Sequence, residues 1–216
     1  MGIRPASREA SGHDAMVDSD TGMPAAGRLF YVVGPSGVGK DTLLHWLQEH
    51  IAGRTADRIA DTAQAIVFAR RSITRAQHSS EAHESVEVTE FWERVAAGRY
   101  AMHWQANGLC YGIGREINAD MAAGRDVIVN GSREHVPQVL QSYPAATIVW
   151  LHADAQAISA RLASRQRESG DEMAQRVARG GKFAPLPGPR IVCIDNSDSL
   201  ETAGLQLLAL LARAHA

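Results

Sequence analysis

The chain has 216 residues, 45% of them apolar and 21% charged, with a formal net charge of −2. That length suits one folded domain, with or without a small inserted lid, and is enough to bury a proper core. A near-neutral chain offers no global basic field for nucleic acid or an anionic membrane, no apolar run reaches transmembrane length, and Cys110 and Cys193 lie too far apart to suggest a disulfide framework or a zinc site, so a reducing cytoplasm is the expected compartment.

Residues 1–27 are small and polar without periodicity and are expected to form a mobile tail ahead of a single domain over 28–216. The apolar run Leu29–Val33 predicts a strand. Directly after it stands Gly34-Pro35-Ser36-Gly37-Val38-Gly39-Lys40-Asp41, and the spacing of Leu43, Leu44, Leu47 and Ile51 predicts a helix over Asp41–Ile51. A strand, a glycine-rich turn and a helix in that order make a phosphate cradle. Backbone N–H groups of Gly34 through Thr42 point at ATP phosphates, the helix adds its positive end, and Lys40 reaches the β- and γ-oxygens. One letter departs from the usual motif: the Ser or Thr expected after the lysine to hold Mg²⁺ is Asp41, with Thr42 next. Asp41, directly or through water, and Thr42 both remain candidates for the metal.

A second strand is expected at Ala65–Ala69, after which residues 70–112 break the pattern. They are rich in polar groups and predict an inserted substrate lobe of short antiparallel strands. Arg71-Ser72-Ile73-Thr74-Arg75 sets two arginines around hydroxyls, which is either a forked clamp for one phosphate or an ordinary solvated turn. Glu81 and His83 follow as further polar candidates on this acceptor side, with a surface role for His83 equally open. A helix is expected over Thr89–Ala97, capped by Thr89 and stopped by Gly98. Tyr111, in a glycine-bracketed turn, either donates its phenol to the same phosphate or fills core; Trp92, Trp104 and Trp150 read as core or lobe filling.

Helices at Glu116–Ala123, Glu134–Tyr143, Ala155–Arg165 and Leu200–Ala214 alternate with strands at Val127–Val129, Ala146–Leu151 and Ile191–Ile194. Such alternation predicts an α/β fold, a parallel sheet covered on both faces. Arg133 follows the central strand, where open α/β sheets place ligands. Residues 165–189 combine arginines with Pro185, Pro187 and Pro189, the composition of a mobile arginine-bearing lid.

These motifs stand in the order found in guanylate kinases: GPSGVGK, the Arg-rich turn, EFWERVAAGRY, the G-L-C-Y-G turn and Arg161-Leu162-Ala163-Ser164-Arg165. The likeness implies a P-loop NTPase-type fold over about residues 28–214. It also implies that Arg165 and Arg176 of the lid stabilise transition-state charge and that Asn196 lies in the turn that meets adenine. Guanylate kinases read guanine with acidic residues, however, and those places are held here by Met102 and Ser132. Neither accepts from the guanine N–H pair as a carboxylate does. Ser72-Ile73-Thr74-Arg75, Glu81-Ala82-His83, Trp104 through Tyr111, Val129-Asn130-Gly131-Ser132-Arg133 and Asp195-Asn196-Ser197 instead resemble the ribose 1,5-bisphosphate phosphokinases of bacterial phosphonate breakdown. Those enzymes also carry G-K-D at the P-loop.

That resemblance implies transfer of the γ-phosphoryl of ATP, with Mg²⁺, to ribose 1,5-bisphosphate, giving 5-phosphoribosyl 1-diphosphate. Arg71, Arg75, Tyr111 and Arg133 would then hold the acceptor phosphates, and Asn130, Ser132, Glu81 and His83 its hydroxyls. Partners are small molecules only, with a homodimer left open. The rival expectations are a nucleoside-monophosphate kinase of altered base preference and a non-catalytic scaffold with a guanylate-kinase fold.

Overall fold

Every residue of the apolar run Leu29–Val33 is buried, because this strand, β1, lies at the centre of a sheet covered on both faces. The computed structural model describes residues 26–54, 66–75, 83–164, 188 and 190–212. Five parallel strands run in the order β2 (Ile66–Phe68), β7 (Asp126–Asn130), β1, β8 (Thr147–His152) and β9 (Ile191–Asp195). Alternation along β1 divides the apolar groups into two cores. Tyr31 and Val33 join Val129, Ile148 and Trp150 on one face, where Ile117 of α3 (Glu116–Ala122) and Val139 of α4 (Val136–Ser142) cover them. Phe30 and Val32 join Ile128, Val149 and Leu151 on the other, under Leu43 and Leu47 of α1 (Lys40–Arg54) and Leu207 of α6 (Leu200–Ala212). The α/β architecture expected from the strand–helix alternation is the one observed.

A second sheet occupies the segment expected as a lobe, in the order β4 (His83–Ser85), β3 (Arg71–Ile73), β6 (Leu109–Gly114) and β5 (Tyr100–Ala106). β5 and β6 form an antiparallel hairpin whose turn puts Asn107 at φ 51° and Gly108 at φ 74°, the left-handed pair that a tight hairpin requires. β3 pairs with β6 antiparallel, as expected of this lobe, but with β4 parallel.

Local differences have identifiable causes. Thr89 does not cap its helix: α2 covers Val88–Ala96, its cap is Glu87, and the Phe91 N–H reaches the Glu87 carbonyl at 2.8 Å. Val86 and Phe91 bury together across that start, an apolar staple that fixes the helix two residues earlier than a side-chain cap on Thr89 would. The helix expected from Glu134 opens instead as a 3₁₀ turn over Arg133–His135 and becomes α-helical at Val136, with Pro137 in the first turn, where its missing N–H costs nothing. Trp92 is not core, being 42% exposed on α2, whereas Trp104 and Trp150 are buried as expected. Gly27, expected within the tail, donates its N–H to the Met121 carbonyl at 2.8 Å. Among the described residues, no helix is long and apolar enough to cross a membrane.

Candidate active site

The glycine-rich turn between β1 and α1 keeps its shape through a few close approaches. Gly37 and Gly39 adopt φ of 83° and 95°, which side-chain-bearing residues rarely reach. A Cβ on Gly34 would meet the Leu151 carbonyl oxygen at 2.6 Å, and one on Gly39 would meet Asn196 Nδ2 at 2.7 Å. Asn196 Nδ2 donates to the Val38 carbonyl at 2.7 Å, and Arg161 of α5 (Ala155–Ser164) donates to the same oxygen at 3.3 Å. Lys40 Nζ donates to the Gly34 and Pro35 carbonyls at 2.9 and 3.3 Å, so its side chain lies along the turn.

The C-terminal ends of β1 and β7 open onto a cleft of about 280 Å³, with the second sheet forming its far wall. Gly34, Ser36, Lys40 and Asp41 line one side; Arg71, Tyr111, Asn130, Ser132 and Arg133 line the other. The topology thus brings together five residues expected on the acceptor side from three separate stretches of sequence. Arg71 Nη2 donates to Asp41 Oδ1 at 2.8 Å, and Asn130 Nδ2 donates to the same oxygen at 2.7 Å. Burial alone would raise the Asp41 pKa, but the charges of Arg71 and Lys40 and these two hydrogen bonds outweigh it and hold the carboxyl below its usual range. Asn130 is 7% exposed, and its Oδ1 is buried with no hydrogen-bond partner among the described residues. An orphaned buried acceptor of this kind costs about 1–3 kcal/mol until something donates to it.

Beneath the Asn130–Arg133 turn lies Tyr31, fully buried on β1. Its hydroxyl accepts the Ser132 N–H at 3.0 Å and donates to the Ser132 carbonyl at 3.4 Å. Burial pushes this phenol well above its ordinary pKa despite the hydrogen bond at Ser132, so it stays protonated and serves as a fixed prop. Burial likewise draws Arg133 below its ordinary value, while the neighbouring Glu134 charge pulls it back.

Other expected residues lie elsewhere. His83 is fully buried at the start of β4, paired in register with Arg71, so the surface reading fails and its ring is away from the cleft lining. Arg75 lies just past β3 and does not line the cleft either. Asn196 is buried, and its Nδ2 is used on the phosphate turn. Thr42 is exposed on the first turn of α1 and does not line the cleft. Glu81, Arg165 and Arg176, with the lid segment, lie outside the described residues.

The cleft also contains groups that sequence reasoning missed. Trp104, read as plain filling, lines it while stacking on Tyr111 at 5.5 Å and 3° and on His135 at 5.5 Å and 28°. Burial and the nearby His103 depress His135, favouring a neutral ring in this stack. The only legible signal was alternation on β5, which marks Trp104 as inward without saying whether inward means core or cleft. Glu134 and Asn107 also line the cleft. A roomier groove of about 660 Å³ does not touch the phosphate turn; its arginines and glutamates offset one another, as where Arg94 bridges Glu84 and Glu90.

No protein-family model matches the chain. It is 48% identical over 192 residues to the ribose 1,5-bisphosphate phosphokinase PhnN of Janthinobacterium sp. (strain Marseille), covering 89% of this chain but only 40% of that longer protein. With the ribose 1,5-bisphosphate phosphokinase PhnN of Thiobacillus denitrificans it shares 41% identity over 191 residues, 88% of this chain and 95% of the relative. Among solved structures, a guanylate kinase from Anaplasma phagocytophilum matches with a TM-score of 0.60 at 16% identity, over 89% of this chain and 88% of that one. This last likeness places the fold among guanylate-kinase-like P-loop proteins.

Proposed function

The chain belongs to the ribose 1,5-bisphosphate phosphokinase family, and from that membership and the chemistry of its cleft we propose that it phosphorylates ribose 1,5-bisphosphate with ATP. An oxygen of the anomeric phosphate attacks the γ-phosphorus, the bond from that phosphorus to the β,γ-bridging oxygen breaks, and ADP leaves. The product is 5-phosphoribosyl 1-diphosphate. The observation that supports this most strongly is the convergence of Arg71, Arg133, Tyr111 and Asn130 opposite Lys40 and the phosphate turn.

Both substrates are polyanions, so the work of such a site is to hold them in line and neutralise their charge. Lys40 would swing from the Gly34 and Pro35 carbonyls to the β- and γ-oxygens. Arg71 and Arg133 would fork onto the acceptor phosphates, and the orphaned Oδ1 of Asn130 would accept from a ribose hydroxyl. Glu81 remains assigned to the acceptor side and Arg165 and Arg176 to transition-state charge, whereas the buried His83 and Arg75, which do not line the cleft, are given no direct contact with the acceptor. Asn196 would act on the nucleotide by shaping the turn. No catalytic base is needed, because the second pKa of a phosphomonoester is about 6 and the attacking oxygen is largely ionised at neutral pH. This agrees with the two carboxylates lining the cleft: Asp41 is tied to Arg71, and Glu134 faces the charge of Arg133.

ATP brings Mg²⁺ with it in kinases of this type, and the cation shields the transferring phosphoryl group. The residues present fit a direct ligand poorly. Asp41 Oδ1 already accepts two hydrogen bonds, from Arg71 and Asn130, and Thr42 does not line the cleft. Met102, at the place of a guanine-reading acid, is 6% exposed within the core, and Ser132 holds the other place, so neither position offers a carboxylate to a guanine edge. Phosphorus NMR of ATP incubated with ribose 1,5-bisphosphate tests the reading. A new sugar diphosphate is expected, and faster turnover of GMP or another nucleoside monophosphate would reject it. Calorimetry showing no Mg-ATP binding would point instead to a scaffold.

A further inference from the structure

Asp41 immediately follows the phosphate-binding lysine, where P-loop kinases carry a hydroxyl for Mg²⁺. In this fold its carboxylate is taken up by other elements. Oδ1 receives Arg71 from β3 at 2.8 Å and Asn130 from β7 at 2.7 Å, so the first turn of α1, the lobe sheet and the central sheet meet on one oxygen. Arg71 and Asn130 are the better buried members, the Arg71 side chain 19% exposed and that of Asp41 60%. The exposed carboxylate therefore anchors two groups that the cleft walls already confine. Arg71 engages Asp41 through Nη2 alone, which leaves the rest of its fork for an anion. A divalent cation on the same carboxylate would have to displace that guanidinium or sit beside its charge, and both cost free energy.

We propose that Asp41 is a positioning residue, aiming Arg71 and Asn130 at the acceptor and fixing them to the nucleotide-binding turn, and that it is not a Mg²⁺ ligand. Donor and acceptor subsites are thereby set in register by one side chain. The inference rests on the kinase reading above.

The test compares wild type with Asp41→Ser, Asp41→Asn, Arg71→Ala and the Asp41→Ser/Arg71→Ala pair. Serine restores the usual metal-binding residue, so a metal role for Asp41 would leave Asp41→Ser near normal. The inference instead expects its KM for ribose 1,5-bisphosphate to rise about tenfold, as loss of a charged hydrogen-bond partner does. Mg-ATP affinity by calorimetry, and its Mg²⁺ dependence, should stay within about twofold in every single variant. Asp41→Asn, which keeps an oxygen acceptor, should lie between wild type and serine. The double variant should be little worse than Arg71→Ala, because both changes break one contact. Normal acceptor KM in Asp41→Ser, additive losses in the pair, or a large drop in Mg-ATP affinity in Asp41→Asn would each overturn it. A wild-type chain that binds Mg-ATP but leaves ribose 1,5-bisphosphate untouched would remove the proposed function, and the calorimetry alone would then decide whether Asp41 holds metal.

Discussion

The phenol ring of Tyr31 fills the space that a side chain on Gly131 would need: a Cβ there would meet Tyr31 Cζ at 2.0 Å. Tyr31 is fully buried and cannot yield. Gly131→Ala should therefore displace the Asn130–Arg133 turn, lowering stability by about 1–3 kcal/mol and raising the acceptor KM with little change for ATP. Tyr31→Phe is the milder companion, leaving the Ser132 N–H without its partner at a cost of about 1 kcal/mol. Urea unfolding and initial-rate kinetics on both variants check this. An alanine variant of wild-type stability would mean that the turn is not propped by the ring.

Lys40 Nζ donates to two carbonyls of its own turn. Lys40→Ala should leave stability nearly untouched and lower kcat by at least about 10²-fold, since the charge is aimed at groups that become more negative in the transition state. Near-normal turnover would contradict the assignment of this turn to the transferring phosphate.

Arg28 clasps Asp126 at the shared start of β1 and β7. Nη2 lies 2.6 Å from Oδ2, Nε 3.2 Å from Oδ1, and the Arg28 backbone N–H 2.8 Å from Oδ1. Asp126 is 1% exposed and Arg28 about a third exposed, so losing the cation leaves a buried negative charge less well compensated. Arg28→Ala should cost about 2–3 kcal/mol, below the value for a fully buried pair because the backbone N–H still donates to the acid. Unfolding midpoints measure it, and kinetics at temperatures where the variant stays folded should be unaffected.

Glu84 takes two hydrogen bonds from Arg94 at 2.9 Å and one from Ser72 at 2.7 Å. Hydrogen bonds from Arg94, opposed by partial burial and reinforced by Ser72 and nearby arginine charge, hold its pKa below the ordinary 4.5. The sign follows from proton counting. Between its depressed folded value and 4.5 the unfolded chain binds more protons, so the stabilisation is present above pH 4.5 and lost as pH falls through the folded value. The stability gap between wild type and Glu84→Gln should therefore be constant near neutrality and shrink in acid. A gap unchanged down to pH 3 would show that the charge of Glu84 does not matter, only its shape.

Much of this fold was legible because its strands are unbroken apolar runs. Leu29–Val33 was placed to the residue, and the glycine turn after it fixed the following helix. What stayed hidden depended on distant partners. Thr89 looks like a cap, yet Val86 and Phe91 decide where that helix starts. Asp41 stood out as a departure from motif, but its partners Arg71 and Asn130 are 30 and 89 residues away, and nothing local reveals them. His83 was ambiguous for the same reason: polarity suggests solvent, whereas its register beside Arg71 buries it.

Two side chains converge on the Val38 carbonyl, and one of them, Asn196, occupies the space above Gly39. A carbonyl tethered by two donors from distant elements is held against rotation, so the orientation of this one peptide is set from outside the loop. Gly39 and Asn196 are consequently interlocked, since any side chain at position 39 would collide with the amide that holds the neighbouring carbonyl.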